Sequence, residues 1–402
     1  MILSTRSLNP HFSGSLSFGV GSVDRIGSLV AECGGKRAFI VTDPGVSRAG
    51  VTDLMRQKIS RVADSVVFDG VTPNPTTDDV ESGTSALKDF GVEGTVVVAV
   101  GGGSAMDAAK AISLHAANGG PALGLADFVN DLTPGLPIVA VPTTAGTAAE
   151  TNGFGVITDV AGQRKFYIGH ESVKPRRCVL DPALTVGLPP GITAATGIDA
   201  LTHALEALMS RNANPVADGL ALYAIGMISG WLPAAVDRGE DLEARSQMLF
   251  ASNLAGQAFA TGTGLGLCHA IAHPLGARLG VPHGVAIAGV LPGVMDFNLP
   301  VSVEKISQAA SNLGVAGQSS CEENARAAVE AVKNLIARVM GGNVLSGATV
   351  ESGLLALIVR DCLKDPVISN TPRMPSFAQV EEIVQVEEIV QDAVLQRAPY
   401  SA

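Results

Sequence analysis

The chain has 402 residues, too many for one ordinary core, so two domains are expected. Hydrophobic residues make up 47% and charged residues only 16%, which is enough apolar side chain for a large core. A formal charge of −11 argues against nucleic acid and anionic membrane as partners, because both demand a basic face.

The chain starts Met1-Ile2-Leu3-Ser4-Thr5-Arg6, without the apolar region of a signal peptide. The longest apolar runs, such as Thr95–Val100 and Pro137–Val141, are strand length and far short of the ~20 residues that span a bilayer. Five cysteines (Cys33, Cys178, Cys268, Cys321 and Cys362) are scattered with no Cys-x-x-Cys pair, which fits reduced thiols better than a disulfide framework. A soluble cytoplasmic protein is expected.

Up to about residue 185 the segments alternate in type. Arg37–Thr42, Val66–Phe68, Thr95–Val100 and Pro137–Val141 are short β-rich apolar runs, and helical stretches such as Asp78–Phe90 and Ala105–Ala117 lie between them. The alternation predicts an α/β domain over residues 1–185 with a mostly parallel sheet covered by helices. A hairpin is expected from Gly153–Thr158 and Arg164–Ile168, turning at Ala161-Gly162.

The texture changes after Leu188-Pro189-Pro190. Ala194–Ser210, Pro215–Asp237, Leu242–Ala260 and Glu322–Met340 are alanine- and leucine-rich at helical spacing. Residues 186–402 therefore read as an all-helical second domain, with the chemistry expected in the cleft between the two. Val380–Gln385 is repeated as Val386–Gln391; a six-residue shift turns a helix by about 600°, so the copies show different faces and carry no assigned function.

Four of the seven histidines fall between positions 203 and 283. Asp199 and His203 are spaced i, i+4, as are His269 and His273, so each pair shares a helix face. His283 follows in a Pro-His-Gly turn. Imidazole and carboxylate together suit a borderline divalent ion such as Fe²⁺ or Zn²⁺. Taken singly, each histidine reads more readily as a helix-surface residue; the set, in an apolar setting, points to a catalytic metal.

Val98–Val100 runs into Gly101-Gly102-Gly103-Ser104, three glycines after a strand, with Ser104 placed to cap the next helix. Glycines let backbone N–H groups approach a pyrophosphate at a helix N-terminus. Asp43, just after a strand, is placed either to bind a ribose 2′-hydroxyl and repel a 2′-phosphate or simply to hold an Asp-Pro-Gly turn.

These segments together resemble a known family. Gly101–Lys110 is similar to the cofactor motif of the iron-containing (group III) alcohol dehydrogenases, and Pro142–Glu150 to their second cofactor segment. The block from His269 through His283, with Asp199 and His203 upstream, resembles their metal signature. The resemblance implies a dinucleotide-binding α/β domain, a helical metal domain and reversible NAD(P)-linked alcohol oxidation. It implies Asp199, His203, His269 and His283 as ligands of Fe²⁺ (Zn²⁺ being the other candidate), with His273 near the nicotinamide as proton relay. It implies Asp43, Gly102, Gly103, Ser104, Asp107, Thr143, Thr144 and Lys165 as cofactor contacts. NAD is expected over NADP, with a small alcohol or aldehyde as substrate and a homo-oligomer, dimer or larger, as the assembly. Between Phe259 and His269 the chain has one residue more than the family pattern. Two other readings stand beside this one: a zinc-dependent glycerol-type polyol dehydrogenase, and a catalytically silent NAD-binding structural protein.

Overall fold

The computed structural model describes residues 14–126, 129, 131–317, 320–341 and 351–386. The described residues form two compact units, one of 14–193 with Asp237–Asn253, the other of Ala194–Val236 with the described part of 254–386.

The first unit is built on a six-stranded parallel sheet. In chain order its strands are β1 (Ser15–Phe18), β2 (Arg37–Val41), β3 (Asp64–Phe68), β4 (Thr95–Gly101) and β5 (Ile138–Pro142), with β8 (Arg177–Leu180) closing the sequence. Their spatial order is β1-β8-β5-β4-β2-β3. The expected hairpin is present as β6 (Phe154–Asp159) and β7 (Arg164–Gly169), antiparallel, with the Gly162 amide donating to Asp159 Oδ1 at its turn.

Continuous apolar runs form these strands because both faces are covered. Ala38 and Ile40 of β2, Val96, Val98 and Val100 of β4, and Val139 and Val141 of β5 enter one core, shared with α1 (Ile26–Glu32) and α3 (Val51–Ile59). Their neighbours Phe39, Val41, Val97, Ala99, Ile138 and Ala140 enter the opposite core, shared with α4 (Thr77–Phe90) and α5 (Gly103–Asn118). The strand period of two thus divides each run between two hydrophobic layers.

The strand order reverses between β2 and β4. From β2 the chain moves outward to β3, then returns past β2 to β4 and continues the other way to β5. Ligands of open α/β sheets bind outside the carboxyl ends of strands at such a switch point. Asp43 stands at the carboxyl end of β2 and Gly101-Gly102-Gly103 at that of β4.

The second unit's described residues are helical: α6 (Pro190–Met209), α7 (Pro215–Asp237), α9 (Leu267–Leu279), α10 (His283–Asn312), α11 (Cys321–Met340), α12 (Ser352–Lys364) and α13 (Phe377–Val386). The units part at Thr193 rather than at residue 185, and the first also takes the beginning of α8 (Leu242–Ala258). The reason lies in its side chains: Leu249 joins a core of the α/β unit, Phe250 meets Phe18 at 5.0 Å between ring centroids, and Arg245 donates to Thr193 Oγ1 and Leu188 O.

Three local expectations are corrected. Ser104 does not cap α5; the cap position is Gly102, and Ser104 Oγ instead accepts from the Asn74 amide. The helix expected to reach Ala260 ends at Ala258, where Phe259–Thr263 forms a π-helical turn with Gly262 at φ +102°. A π turn houses one residue more than an α turn, the size of the extra residue noted between Phe259 and His269. Finally, α7 and α10 are long and apolar enough by length and composition to cross a bilayer, which run lengths did not register because glycine, proline and polar residues interrupt them. Most of the α10 stretch is packed inside the protein, as in a core helix, against a third of the α7 stretch. The second hexapeptide copy lies outside the described residues beyond Val386.

Candidate metal centre and cofactor site

α6 carries Asp199, His203 and Glu206 at i, i+4 and i+7, one stripe of a helix whose other residues are apolar or threonine. α9 carries His269 and His273, and His283 is the first residue of α10. The start of α10 lies directly on α6: a Cβ added at Gly284 would meet Ala195 O at 2.5 Å, so only glycine permits the approach that delivers His283.

Three imidazoles surround one carboxylate oxygen. Nε2 of His203, His269 and His283 lie 3.6, 3.5 and 3.7 Å from Asp199 Oδ1. The ligand atoms of Asp199, His203 and His269 all fall within 4.8 Å of one another, and these three residues are buried. Asp199 Oδ1 and His269 Nε2 make no hydrogen bond of normal geometry. Buried polar atoms without partners are rare and costly. Donors held at ~2.1 Å around a tetrahedral ion stand about 3.4 Å apart, close to the spacing seen here. The residues therefore fit a divalent ion.

Electrostatics agree. Burial pushes the Asp199 carboxyl up, but His203, with His269 and His283, outweighs it and holds the group well below the usual carboxylate range. Burial pulls His269 down, yet Glu206 and Asp199 together raise it to about 9. Among the described residues, no lysine or arginine pairs with Asp199 or Glu206, so the cations nearest these buried carboxylates are imidazolium or a metal. Cys268 is a core thiol pushed well up by burial and by Glu206, hence no thiolate nucleophile.

His273 lies one turn beyond His269, with ring centroids 6.1 Å apart. Its Nδ1 donates to Asp365 Oδ2 at 2.7 Å, and Asp365 Oδ1 accepts from the Val367 amide, which fixes the carboxylate. Phe259 packs on His203, with ring centroids 4.9 Å apart.

In the α/β unit the expected cofactor residues converge on the switch point. Gly101 has φ +143°, and the Thr143 amide donates to Gly101 O, tying the ends of β4 and β5 together. A Cβ at Gly103 would meet Thr147 Cγ2 at 2.8 Å and one at Gly102 would meet Thr144 Cγ2 at 3.2 Å, so the loop is a narrow cradle at the start of α5. Asp43 Oδ1 accepts from the Gly45 and Val46 amides and caps α2 (Pro44–Arg48), while Oδ2 lies toward Gly101. Asp107, one turn into α5, accepts from the Val156 amide; burial raises its carboxyl to about 6 against the pull of Lys110. Lys165 donates to Asn74 Oδ1, and burial lowers its amine to about 8 despite Asp107.

Four residues here escape sequence reasoning: Glu206, Asp365, Asn74 and Lys110. Asn74 sits between two prolines at φ +56° and gathers Ser104, Lys165 and Thr158. Lys110 is buried and donates to Ala149 O, Asn152 Oδ1 and Phe154 O. Only Glu206 had a visible signal, the i+7 continuation of the Asp199–His203 stripe.

Comparison with known proteins decides the family. Residues 13–182 match the model of iron-containing alcohol dehydrogenases, and residues 193–387 match that of the Fe-containing alcohol dehydrogenase family's C-terminal part. The chain belongs to the iron-containing alcohol dehydrogenase family. This alcohol dehydrogenase is 41% identical over 363 residues to the probable alcohol dehydrogenase EutG of Escherichia coli (strain K12), covering 90% of each chain. Its structure superposes on that of a 1,3-propanediol oxidoreductase with a TM-score of 0.88 at 34% identity, over 95% of this chain and all of that one. A sulfoacetaldehyde reductase from Bifidobacterium kashiwanohense, crystallised in complex with NAD⁺, matches with a TM-score of 0.84 at 27% identity, over 95% of this chain and 99% of that one. The chain is thus an oxidoreductase of the alcohol dehydrogenase class, and neither alternative reading of its sequence is favoured.

Proposed function

We propose that this alcohol dehydrogenase is metal-dependent and NAD-linked, and interconverts a small alcohol or diol with its aldehyde. Asp199, His203, His269 and His283 hold the metal. The observation that carries this reading is the buried Asp199 Oδ1, ringed by three Nε2 atoms at 3.5–3.7 Å and hydrogen-bonded to none of them. The donor set serves Fe²⁺ and Zn²⁺ alike; the family favours iron. The likeness to a 1,3-propanediol oxidoreductase supports a small alcohol or diol. A homo-oligomer in the cytoplasm rests on the family resemblance.

When bound, the divalent ion polarises the alcohol oxygen and the nicotinamide accepts the hydride. The protein's side chains and backbone supply the rest. One carboxylate among three neutral imidazoles cancels only half of a divalent charge, so the donor set leaves a Lewis-acidic site. His273 Nδ1–H is committed to Asp365, which orients the ring so that proton uptake from the substrate and release to water run through Nε2; the Asp365 carboxylate stabilises the imidazolium formed. In the α/β unit, the amides of Gly102, Gly103 and Ser104 at the start of α5 would hold the pyrophosphate, aided by the helix dipole. Thr143 and Thr144 line that cradle, Asp43 Oδ2 would take a ribose hydroxyl, and Lys165 and Asp107 would supply the charged groups of the cofactor site.

The test is NADH absorbance with a panel of short alcohols and diols, on protein loaded anaerobically with Fe²⁺, loaded with Zn²⁺, or stripped by a chelator. Turnover in a loaded form that vanishes on stripping and returns on reloading is expected. Equal turnover in the stripped protein contradicts the reading.

A further inference from the structure

Glu206 is a buried carboxylate for which the mechanism above has no use. It lies on α6 one turn past His203, and it accepts three hydrogen bonds from the beginning of α9. The Gly266 amide donates to Oε2 at 2.8 Å and the Cys268 amide to Oε1 at 2.6 Å, while His269 Nδ1 donates to Oε2 at 2.7 Å. A Cβ at Gly266 would stand 2.9 Å from Oε1, so the glycine makes room for the carboxylate. α9 has no side-chain cap of its own, and Glu206 satisfies two of its otherwise orphaned amides from another helix.

The chemistry of the third bond matters most. An ionised carboxylate only accepts, so His269 Nδ1 must carry a hydrogen, and when the ring gives up its other proton to bind a metal the lone pair is at Nε2. That Nε2 is buried, lacks a hydrogen bond, and faces Asp199 Oδ1 at 3.5 Å. We propose that Glu206 is a positioning residue: it fixes the ring orientation and tautomer in which His269 offers Nε2 to a divalent ion, and it locks that orientation to the first turn of α9. The inference rests on the metal-centre reading above. Outer partners of this kind are worth 10–100-fold in metal affinity when removed.

Glu206→Gln isolates the effect. Glutamine keeps the shape but not the charge: with its carbonyl toward the Cys268 amide its NH₂ faces both the Gly266 amide and His269 Nδ1, and turned over it accepts from those two while its NH₂ faces the Cys268 amide. Either way a donor meets a donor and the charged acceptor of the Nδ1 hydrogen is gone, so the ring is held less firmly in the orientation that offers Nε2 to a metal. Co²⁺ affinity, measured by competition with a chromophoric chelator, should fall 10–100-fold in Glu206→Gln while NAD binding is unchanged. Wild-type Co²⁺ affinity in this variant overturns the proposal.

A measurement on the unmutated holoenzyme holds even where the variant fails to fold. In Zn²⁺-loaded wild-type protein, histidine NMR should show a hydrogen retained on His269 Nδ1, and its absence there overturns the proposal. His269→Ala separates this inference from the parent reading. Should His269→Ala lose Co²⁺ while Glu206→Gln keeps it, only the role of Glu206 falls. Should His269→Ala keep Co²⁺, the metal assignment itself falls, and the role of Glu206 with it.

Discussion

His273 and Asp365, ninety-two positions apart in sequence, are joined by a 2.7 Å hydrogen bond from Nδ1 to Oδ2. The bond orients the ring and fixes a hydrogen on Nδ1. His273→Gln should therefore keep its metal but turn over more slowly, most visibly in alcohol oxidation. It should also flatten the pH–rate profile of kcat. Asp365→Asn should slow the same step less. An unchanged pH profile for kcat in His273→Gln, with only a lowered stability, would mean that the ring is packing.

Asp43 places a carboxylate oxygen toward the glycine cradle while its other oxygen caps α2. A 2′-phosphate brought to that position meets a like charge, so NAD should be preferred over NADP. Asp43→Gly should relax the preference with little loss of NAD binding, because glycine is itself tolerated at a helix cap. Comparable kcat/KM for both cofactors in the wild type would reduce Asp43 to its capping role.

Lys165 gives cofactor binding a pH dependence whose sign follows from its shift. Burial lowers its amine from 10.5 to about 8, so in the free protein it is charged below about pH 8 and neutral above. Asp107, raised to about 6, stays ionised throughout pH 7–9 and contributes no change there. NAD affinity, measured by fluorescence titration, should therefore fall as pH rises through about 8. In Lys165→Met the affinity should be lower and flatter. A wild-type affinity that rises from pH 7 to 9 would place the attraction elsewhere.

Lys110 tests stability alone. Its ammonium satisfies three acceptors around residues 149–154, and methionine matches its length without donating. Each buried acceptor left unpaired costs ~1–3 kcal/mol, so Lys110→Met should destabilise the protein by roughly 3 kcal/mol or more in chemical denaturation. A loss below ~1 kcal/mol would mean that water or rearrangement replaces the amine.

The sequence shows best what lies in regular periods. β2, β4 and β5 stand out because burial on both faces makes them unbroken apolar runs, and the Asp199–His203 and His269–His273 pairs because i, i+4 is a visible spacing. β1 and β8 are four-residue strands, and SLSF and RCVL are too short and mixed to show a period. Ser104 offered a capping signal that the structure overrides, since its hydroxyl is taken up by Asn74. The supporting residues are hidden for a different reason. Glu206 acts on a histidine sixty-three positions away and Asn74 on a lysine ninety-one away, and only the fold creates those contacts. Nor did the texture change near residue 185 reveal that the start of α8 returns to the α/β unit, because Leu249 and Arg245 look like any other helix residues until their partners are known.

The central claim is that Asp199, His203, His269 and His283 bind one catalytic divalent ion. Metal content and turnover, measured on the same anaerobic preparations of wild type and His269→Ala, test it most directly. The wild type should carry about one divalent ion per chain, and His269→Ala should lose most of it together with NAD-linked turnover. Its helical circular dichroism should persist, because apolar packing rather than the ion holds α6, α9 and α10. Wild-type metal content and full activity in His269→Ala would contradict the account.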